Sequence, residues 1–202
     1  RARRTRAIDE YLASERAVAE RPEAHLNLGI VAAERGDAAG AEAEYRTAIR
    51  LQPGFIPAYA NLADLYRATD RQADAATTLA DGLKAVPNDP SLLHALGLQR
   101  VREQRSAEAL PLLQRAAEAR PEDARFAYVY GVALHSSGRA DEAIVVMKTA
   151  LERSPYDPDL LSGLVAFSRD AGRLDAARDY ARRLAEMVPQ EEPAPADPVG
   201  PR

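Results

Sequence analysis

Apolar residues recur along this chain at the spacing of an α-helix. Leu26, Ile30 and Ala33 fall on one face of such a helix, because residues three or four apart share a face. Gly36 follows that stretch, and Gly supplies the positive φ that ends a helix. A second apolar stretch then runs towards Pro53, and Pro disfavours helix in the residue before it. The pattern predicts two helices joined by a tight turn.

The chain repeats this unit with a period of 34 residues. Pro occupies one position of every unit: Pro53, Pro87, Pro121, Pro155 and Pro189. Ala occupies another: Ala41, Ala75, Ala109, Ala143 and Ala177. The small residue predicts that the two helices of a unit cross closely. Since one pair of helices cannot bury its own apolar face, we expect neighbouring pairs to stack into a continuous core.

The period also divides the chain into segments. Residues 22–189 hold five units, which by period are 22–55, 56–89, 90–123, 124–157 and 158–191. Residues 1–21 align with the second half of a unit, so we predict there the second helix of a truncated upstream repeat. Residues 190–202 contain four Pro and little to bury, which is typical of a flexible tail.

Composition and charge exclude several classes of function. The chain has no Cys, which excludes disulfides, thiolate metal sites, Cys nucleophiles and covalent c-type haem attachment. The formal net charge is −4, whereas nucleic-acid binders usually carry a basic excess. No apolar run approaches the 18–20 residues that span a bilayer. We therefore predict no nucleic-acid partner and no membrane insertion.

The sequence also lacks the residue sets that catalysis needs. Its three His residues, His25, His94 and His135, occupy different positions of the repeat, so the period does not bring them together. Its Gly residues occur singly rather than in a phosphate-binding loop. We predict no enzymatic activity, no catalytic residue, no metal site and no cofactor in this segment.

The first unit carries a known signature, consisting of Leu28-Gly29, Gly36, Ala41, Tyr45, Ala48 and Pro53. It resembles the tetratricopeptide repeat, and the resemblance extends over about 170 of the 202 residues. This resemblance implies an all-α fold, a right-handed α–α superhelical solenoid of about 5.5 helix-turn-helix repeats. It also implies that the first helices line a concave groove in which peptides or partner helices lie.

Transferred by repeat position, the resemblance nominates a set of groove residues. They are Asn27, Asn61, Asp64, Arg67, His94, Arg102, Arg125, Tyr128, His135 and Arg169. An Asn amide both donates and accepts hydrogen bonds and suits a peptide backbone. The Arg side chains suit an acidic peptide, and Tyr128 offers an apolar anchor. The alternative is that these Arg side chains are solvated or paired with carboxylates of the chain itself.

One specific ligand can be rejected. Relatives that capture the carboxyl-terminal tails of chaperones use a clamp of Lys, Asn, Asn, Lys and Arg spread over three successive first helices. At most one of the five corresponding positions matches in any frame of this sequence. We therefore reject binding of chaperone tails through such a clamp.

A weaker resemblance concerns the wider context of the chain. Residues 21–29, 60–67 and 128–135 are similar to the repeat region that follows the haem domain in some bacterial multihaem cytochrome c proteins. That would imply a partner-docking role beside an electron-transfer domain. It favours the bacterial periplasm over the cytoplasm, although the sequence itself assigns no compartment.

We therefore predict a non-catalytic scaffold that binds a peptide or partner protein in the concave groove. One alternative is a structural solenoid that assembles with further copies of itself into a homo-oligomer. The other is an accessory docking domain of a periplasmic multihaem cytochrome c type redox protein. The sequence does not identify the partner.

The groove hypothesis leads to a first prediction. If the partner is acidic, replacing two groove cations in Arg102→Glu with Arg125→Glu should weaken binding by far more than tenfold, or about 1.4 kcal/mol. The measurement is affinity capture with the full-length protein, with circular dichroism to confirm that the helices are intact. Unchanged affinity would move the binding surface to the convex face or the tail.

Overall fold

The computed structural model describes residues 21–187, so the predicted upstream helix and the predicted tail at 190–202 lie outside the described residues. Between 21 and 187 the chain forms ten α-helices and no strand. They are α1 (Pro22–Glu34), α2 (Ala38–Leu51), α3 (Ile56–Ala68), α4 (Gln72–Ala85), α5 (Pro90–Arg102), α6 (Ser106–Ala119), α7 (Ala124–Ser136), α8 (Ala140–Arg153), α9 (Pro158–Asp170) and α10 (Leu174–Glu186). Odd numbers are first helices and even numbers are second helices, and the predicted all-α solenoid is confirmed.

First helices begin with an acidic cap in the later repeats. The Asp89 carboxylate accepts a hydrogen bond from the Leu92 backbone N–H at 2.9 Å, and Asp157 does the same for Leu160 at 2.8 Å. Pro90 and Pro158 follow these caps, where a missing N–H costs little. The caps satisfy donors that the helix itself leaves unpaired.

The second helices of repeats two to five begin differently, with an Arg at the cap position, whereas α2 has Asp37 there. The Arg71 guanidinium contacts Asp74 at 2.7 Å, and Arg139 contacts Glu142 at 2.6 Å. In the last repeat Arg173 instead reaches back to Asp141 of the preceding repeat at 2.5 Å. A cation at a helix start is unfavourable for the helix dipole, and the acid in the first turn compensates it. The Arg side chains of this row are therefore paired.

The turn between the two helices of each unit requires a left-handed residue. Gly36 and Gly138 have φ of 81° and 79°, as their residue type predicts. The same position holds Asp70 at 61° and Gln104 at 59°. Asp tolerates this region better than Gln does, so Gln104 carries the larger strain.

Small residues bring the helices of a unit together. Ala41, Ala75 and Ala109 are fully buried, which confirms the close crossing that their spacing predicts. A Cβ added at Gly97 would lie 2.6 Å from the Leu113 side chain, so the Leu113 side chain fills the space that Gly97 leaves. The two helices of a unit therefore pack closely against each other through residues of that unit alone.

First and second helices differ in how closely their neighbours approach. First helices of adjacent repeats contact each other in the pairs α1–α3, α3–α5 and α7–α9. Second helices instead leave open hollows of about 280–350 Å³ between α2 and α4, α6 and α8, and α8 and α10. A row of helices that is narrower on one side curves towards that side. The first helices therefore line the concave face.

The core is divided near its middle. One cluster of buried side chains joins the first two repeats to α5, and another joins Leu113 to the last two repeats. Between them lies a small cluster of Leu93, Ala116 and Phe126. His94 stacks on Phe126 there, with ring centroids 4.6 Å apart, and is only 6% exposed.

His94 is a buried polar group without compensation. Neither ring nitrogen has a hydrogen-bond partner within the part of the chain that the structure describes. Burial and then the positive charge of Arg125 lower its pKa to about 4, against a smaller opposite effect of Asp123. The ring is thus held neutral at the junction between repeats three and four.

The strained turn gives a prediction for stability. Gln104→Gly should stabilise the fold by about 0.5–1 kcal/mol, because relief of about 1–2 kcal/mol of left-handed strain exceeds the added entropy of the unfolded chain, about 0.4–1 kcal/mol. The reverse exchange at the equivalent turn, Gly138→Gln, is the matched control and should destabilise. Urea denaturation of both variants measures the effect, and a neutral Gln104→Gly would contradict the strain argument.

Burial of His94 predicts a loss of stability in acid. The unfolded ring has a pKa near 6.5 and the folded one a pKa of about 4. The folded state therefore binds fewer protons between these values, and stability present above pH 6.5 is lost as the pH falls towards 4, by up to about 3 kcal/mol. We expect His94→Leu to remove this part of the pH dependence of unfolding. Equal slopes for His94→Leu and the unsubstituted chain would show that the ring is solvated.

Candidate protein-binding groove

The predicted groove residues fall into three rows along the first helices. Arg125 lies in the first turn of α7. A middle row holds Asn27 on α1, Asn61 on α3 and Tyr128 on α7. A last-turn row runs along the opposite edge and contains Arg67, Arg102, His135 and Arg169. Because the first helices share one direction, Arg102 and Arg125 lie at opposite edges of the groove.

The middle row supplies mixed chemistry. Asn61 donates its side-chain N–H to the Pro57 carbonyl at 2.9 Å, which leaves its amide oxygen to accept a further hydrogen bond. Tyr128 is half-buried, and its ring lies against Gly163 on the next first helix. Leu98 and Val132 are half-buried at one shared repeat position. These residues give the groove an apolar floor with polar groups beside it.

The last-turn row begins with two neighbouring cations. Arg67 is half-buried and forms an ion pair with Asp64 one turn earlier on α3. Partial burial and then the positive charge of Arg102 lower the pKa of Arg67. Arg102 is exposed, and no described residue gives its side chain an ion pair or a hydrogen bond.

The same row ends with a pair formed by a histidine and a carboxylate. The Nε2 atom of His135 lies 3.1 Å from an Asp170 carboxylate oxygen. The His135 ring stacks on Phe167, with centroids 4.0 Å apart and planes 7° from parallel. Both partners lie on α9, so this pair ties the last two first helices together. Arg169, beside it, is exposed.

One predicted groove residue is not at the surface. His94 shares its repeat position with Tyr128 and was assigned to the groove for that reason, but it packs inside the junction between α5 and α7. It has no exposed polar atom to offer a ligand. The repeat position alone does not reveal this, because the neighbouring Phe126 covers the His94 ring.

The convex face carries a hollow that the sequence did not predict. It has a volume of about 350 Å³ and lies between α6 and α8. It opens where Ala117 and Ala127 stand at positions that are Leu151 and Leu161 in the next repeat. Val145 at its edge is 62% exposed.

The described residues can also be assessed for metal sites and for membrane-spanning helices. In the range 21–187 no three His, Asp or Glu side chains come together as a metal site would require. Among the helices of that range, none has the length and apolar character needed to cross a bilayer.

Comparison with known structures finds the same architecture. A crystal structure of MamA protein shares 20% identity, with a TM-score of 0.69 over 82% of this chain and 90% of that one. The structure of YrrB, described as a TPR protein with an unusual peptide-binding site, shares 20% identity, with a TM-score of 0.67 over 90% and 93%. A MamA AMB-1 structure reaches 26% identity, with a TM-score of 0.62 over 81% and 96%.

Sequence comparison identifies the family. No curated protein matches the chain. One tetratricopeptide repeat model matches residues 1–54 and 94–158, and a second matches residues 32–98 and 134–196. Each covers more than half of the sequence. The chain belongs to the tetratricopeptide repeat family.

Proposed function

We propose that this chain is a protein-interaction scaffold that holds an extended segment of a partner protein in its concave groove. The observation that carries the proposal is the line of half-buried side chains that the first helices present on that face. Leu98, Tyr128 and Val132 are neither fully packed nor fully solvated. Apolar groups in this position gain further burial when a partner covers them.

The polar groups of the groove support the same function. The free amide oxygen of Asn61 can accept a hydrogen bond from a peptide N–H. Arg125 at one edge and Arg102 at the other are exposed and without a carboxylate partner among residues 21–187. A partner that crosses the groove would meet apolar contacts in the middle and cations on both sides.

We further propose that the segment acts without catalysis. Each of its three His side chains already packs against or bonds to another residue. His25 bonds Glu44 at 2.6 Å, His94 is buried against Phe126, and His135 is paired and stacked. Within residues 21–187, none of the three rings is hydrogen-bonded to a Ser, Thr or Tyr hydroxyl, as a general base beside a nucleophile would be.

The two alternatives from the sequence remain predictions. Self-assembly would find an apolar contact surface in the convex hollow beside Val145, which is exposed. The resemblance to the repeat region of multihaem cytochromes, with its periplasmic setting, rests on sequence phrases alone. The absence of a cofactor likewise stays a prediction for this segment.

The groove proposal predicts a dependence on Tyr128. Panning a random peptide display library against the immobilised chain should enrich binders. Tyr128→Ala should weaken these binders at least tenfold, because loss of an aromatic hot-spot residue typically costs about 2 kcal/mol or more. Affinity is measured by fluorescence anisotropy, and circular dichroism confirms the fold.

Val145→Ala on the convex face is the matched control and should leave peptide affinity unchanged. Enriched peptides that respond to Val145→Ala and not to Tyr128→Ala would place binding on the convex face. A library that yields no binder would count against peptide binding altogether.

A further inference from the structure

The last turns of neighbouring first helices place two particular side chains opposite each other. His135, the second-last residue of α7, faces Asp170, the last residue of α9, at 3.1 Å. Arg67 and Arg102 hold the same two places on α3 and α5. One junction therefore carries a His–Asp pair, and its equivalent carries two Arg side chains.

The two cations are not equally compensated. Arg67 has an acidic neighbour on its own helix, Asp64. Arg102 has no ion pair among the described residues, and partial burial and then the positive charge of Arg102 lower the pKa of Arg67. Like charges at these two places repel each other across the junction between α3 and α5. The site lacks the anion that Asp170 supplies at the equivalent junction.

The helix dipole does not explain this arrangement. A cation at the end of a helix is favoured by the dipole, which accounts for Arg102 when α5 is considered alone. Yet Asp170 occupies the identical place at the end of α9, so the position does not demand a cation. The choice of Arg opposite Arg67 needs another reason.

We propose that Arg67 and Arg102 together bind a carboxylate side chain, Asp or Glu, of the partner segment held in the groove. The carboxylate stands between the two guanidinium groups, as Asp170 stands beside His135. Guanidinium groups bind carboxylates through paired hydrogen bonds in a planar arrangement. This inference rests on the proposed function and adds the partner's chemistry: an acidic residue fixed at the last-turn edge, between repeats two and three.

The first test needs no partner. Arg102→Asp should convert the junction into an Arg–Asp pair and raise the melting temperature relative to Arg50→Asp. Arg50 is the matched control, because it is exposed near the end of α2 and its replacement suffers the same loss against the helix dipole. Sodium sulfate at constant ionic strength should raise the melting temperature of Arg50→Asp more than that of Arg102→Asp. Equal behaviour of the two variants would overturn the anion site.

The second test uses the peptides selected from the display library. We expect enrichment of Asp or Glu, and at least a tenfold loss of affinity when that residue becomes Gln or when the chain carries Arg102→Gln. Arg50→Gln should change nothing. A peptide with phosphoserine at the acidic position separates the two sources of negative charge, and a tenfold preference for phosphoserine would overturn the assignment to carboxylates.

These outcomes separate the two proposals. Binders that depend on Tyr128 but carry no acidic residue, and that ignore Arg102→Gln, would overturn the carboxylate site while leaving groove binding in place. If no binder depends on Tyr128 or on Arg102, both proposals fail.

Discussion

The close crossing of the two helices within each repeat is the constraint on which the rest of the structure depends. Fully buried Ala residues such as Ala75 and Ala109 let the helix axes approach, and Gly97 leaves its space to Leu113. A hairpin built in this way still has apolar side chains on its outer faces, because two helices cannot cover each other completely. Stacking the next hairpin covers them, so the core grows by contacts that are local in sequence. The curvature follows, since first helices touch their neighbours and second helices do not close the hollows between them.

That constraint also explains how much the sequence could predict. Helices, turns and stacking depend on residues that recur in every unit, and recurrence makes the signal strong. Even the strained Gln104 turn was visible as a departure from Gly at a fixed position. The groove was harder to predict from the sequence, because its residues differ from repeat to repeat. Repeat position predicts that Asn61, Arg102 and Arg125 lie in the groove. Only the structure shows that Arg102 and Arg125 lie at opposite edges of it.

The remaining discrepancies have one physical origin. Whether a residue is buried at a repeat junction depends on its neighbour in the next repeat, which a single repeat position does not describe. His94 is covered because Phe126 stacks on it, whereas Tyr128 at the same repeat position stays half-exposed. The convex hollow between α6 and α8 is likewise lined by two small residues on different helices, Ala117 and Ala127. Predicting whether such a residue is buried requires two positions together, one from each of two neighbouring repeats.

The same reasoning separates structural polar groups from those available for binding. The Arg residues that begin the second helices are each held by an acid, as in Arg139 with Glu142, and His135 is held by Asp170. In a repeat protein whose polar side chains are so regularly paired, an unpaired one is informative because its equivalents show what pairing looks like. Arg102 occupies the place at which Asp170 pairs with His135 in the last two repeats. The residue at the other place of this junction is a second cation, Arg67. The His135–Asp170 pair shows that this place on a first helix can hold an anion, so the charge of Arg102 is a difference that a partner can complement.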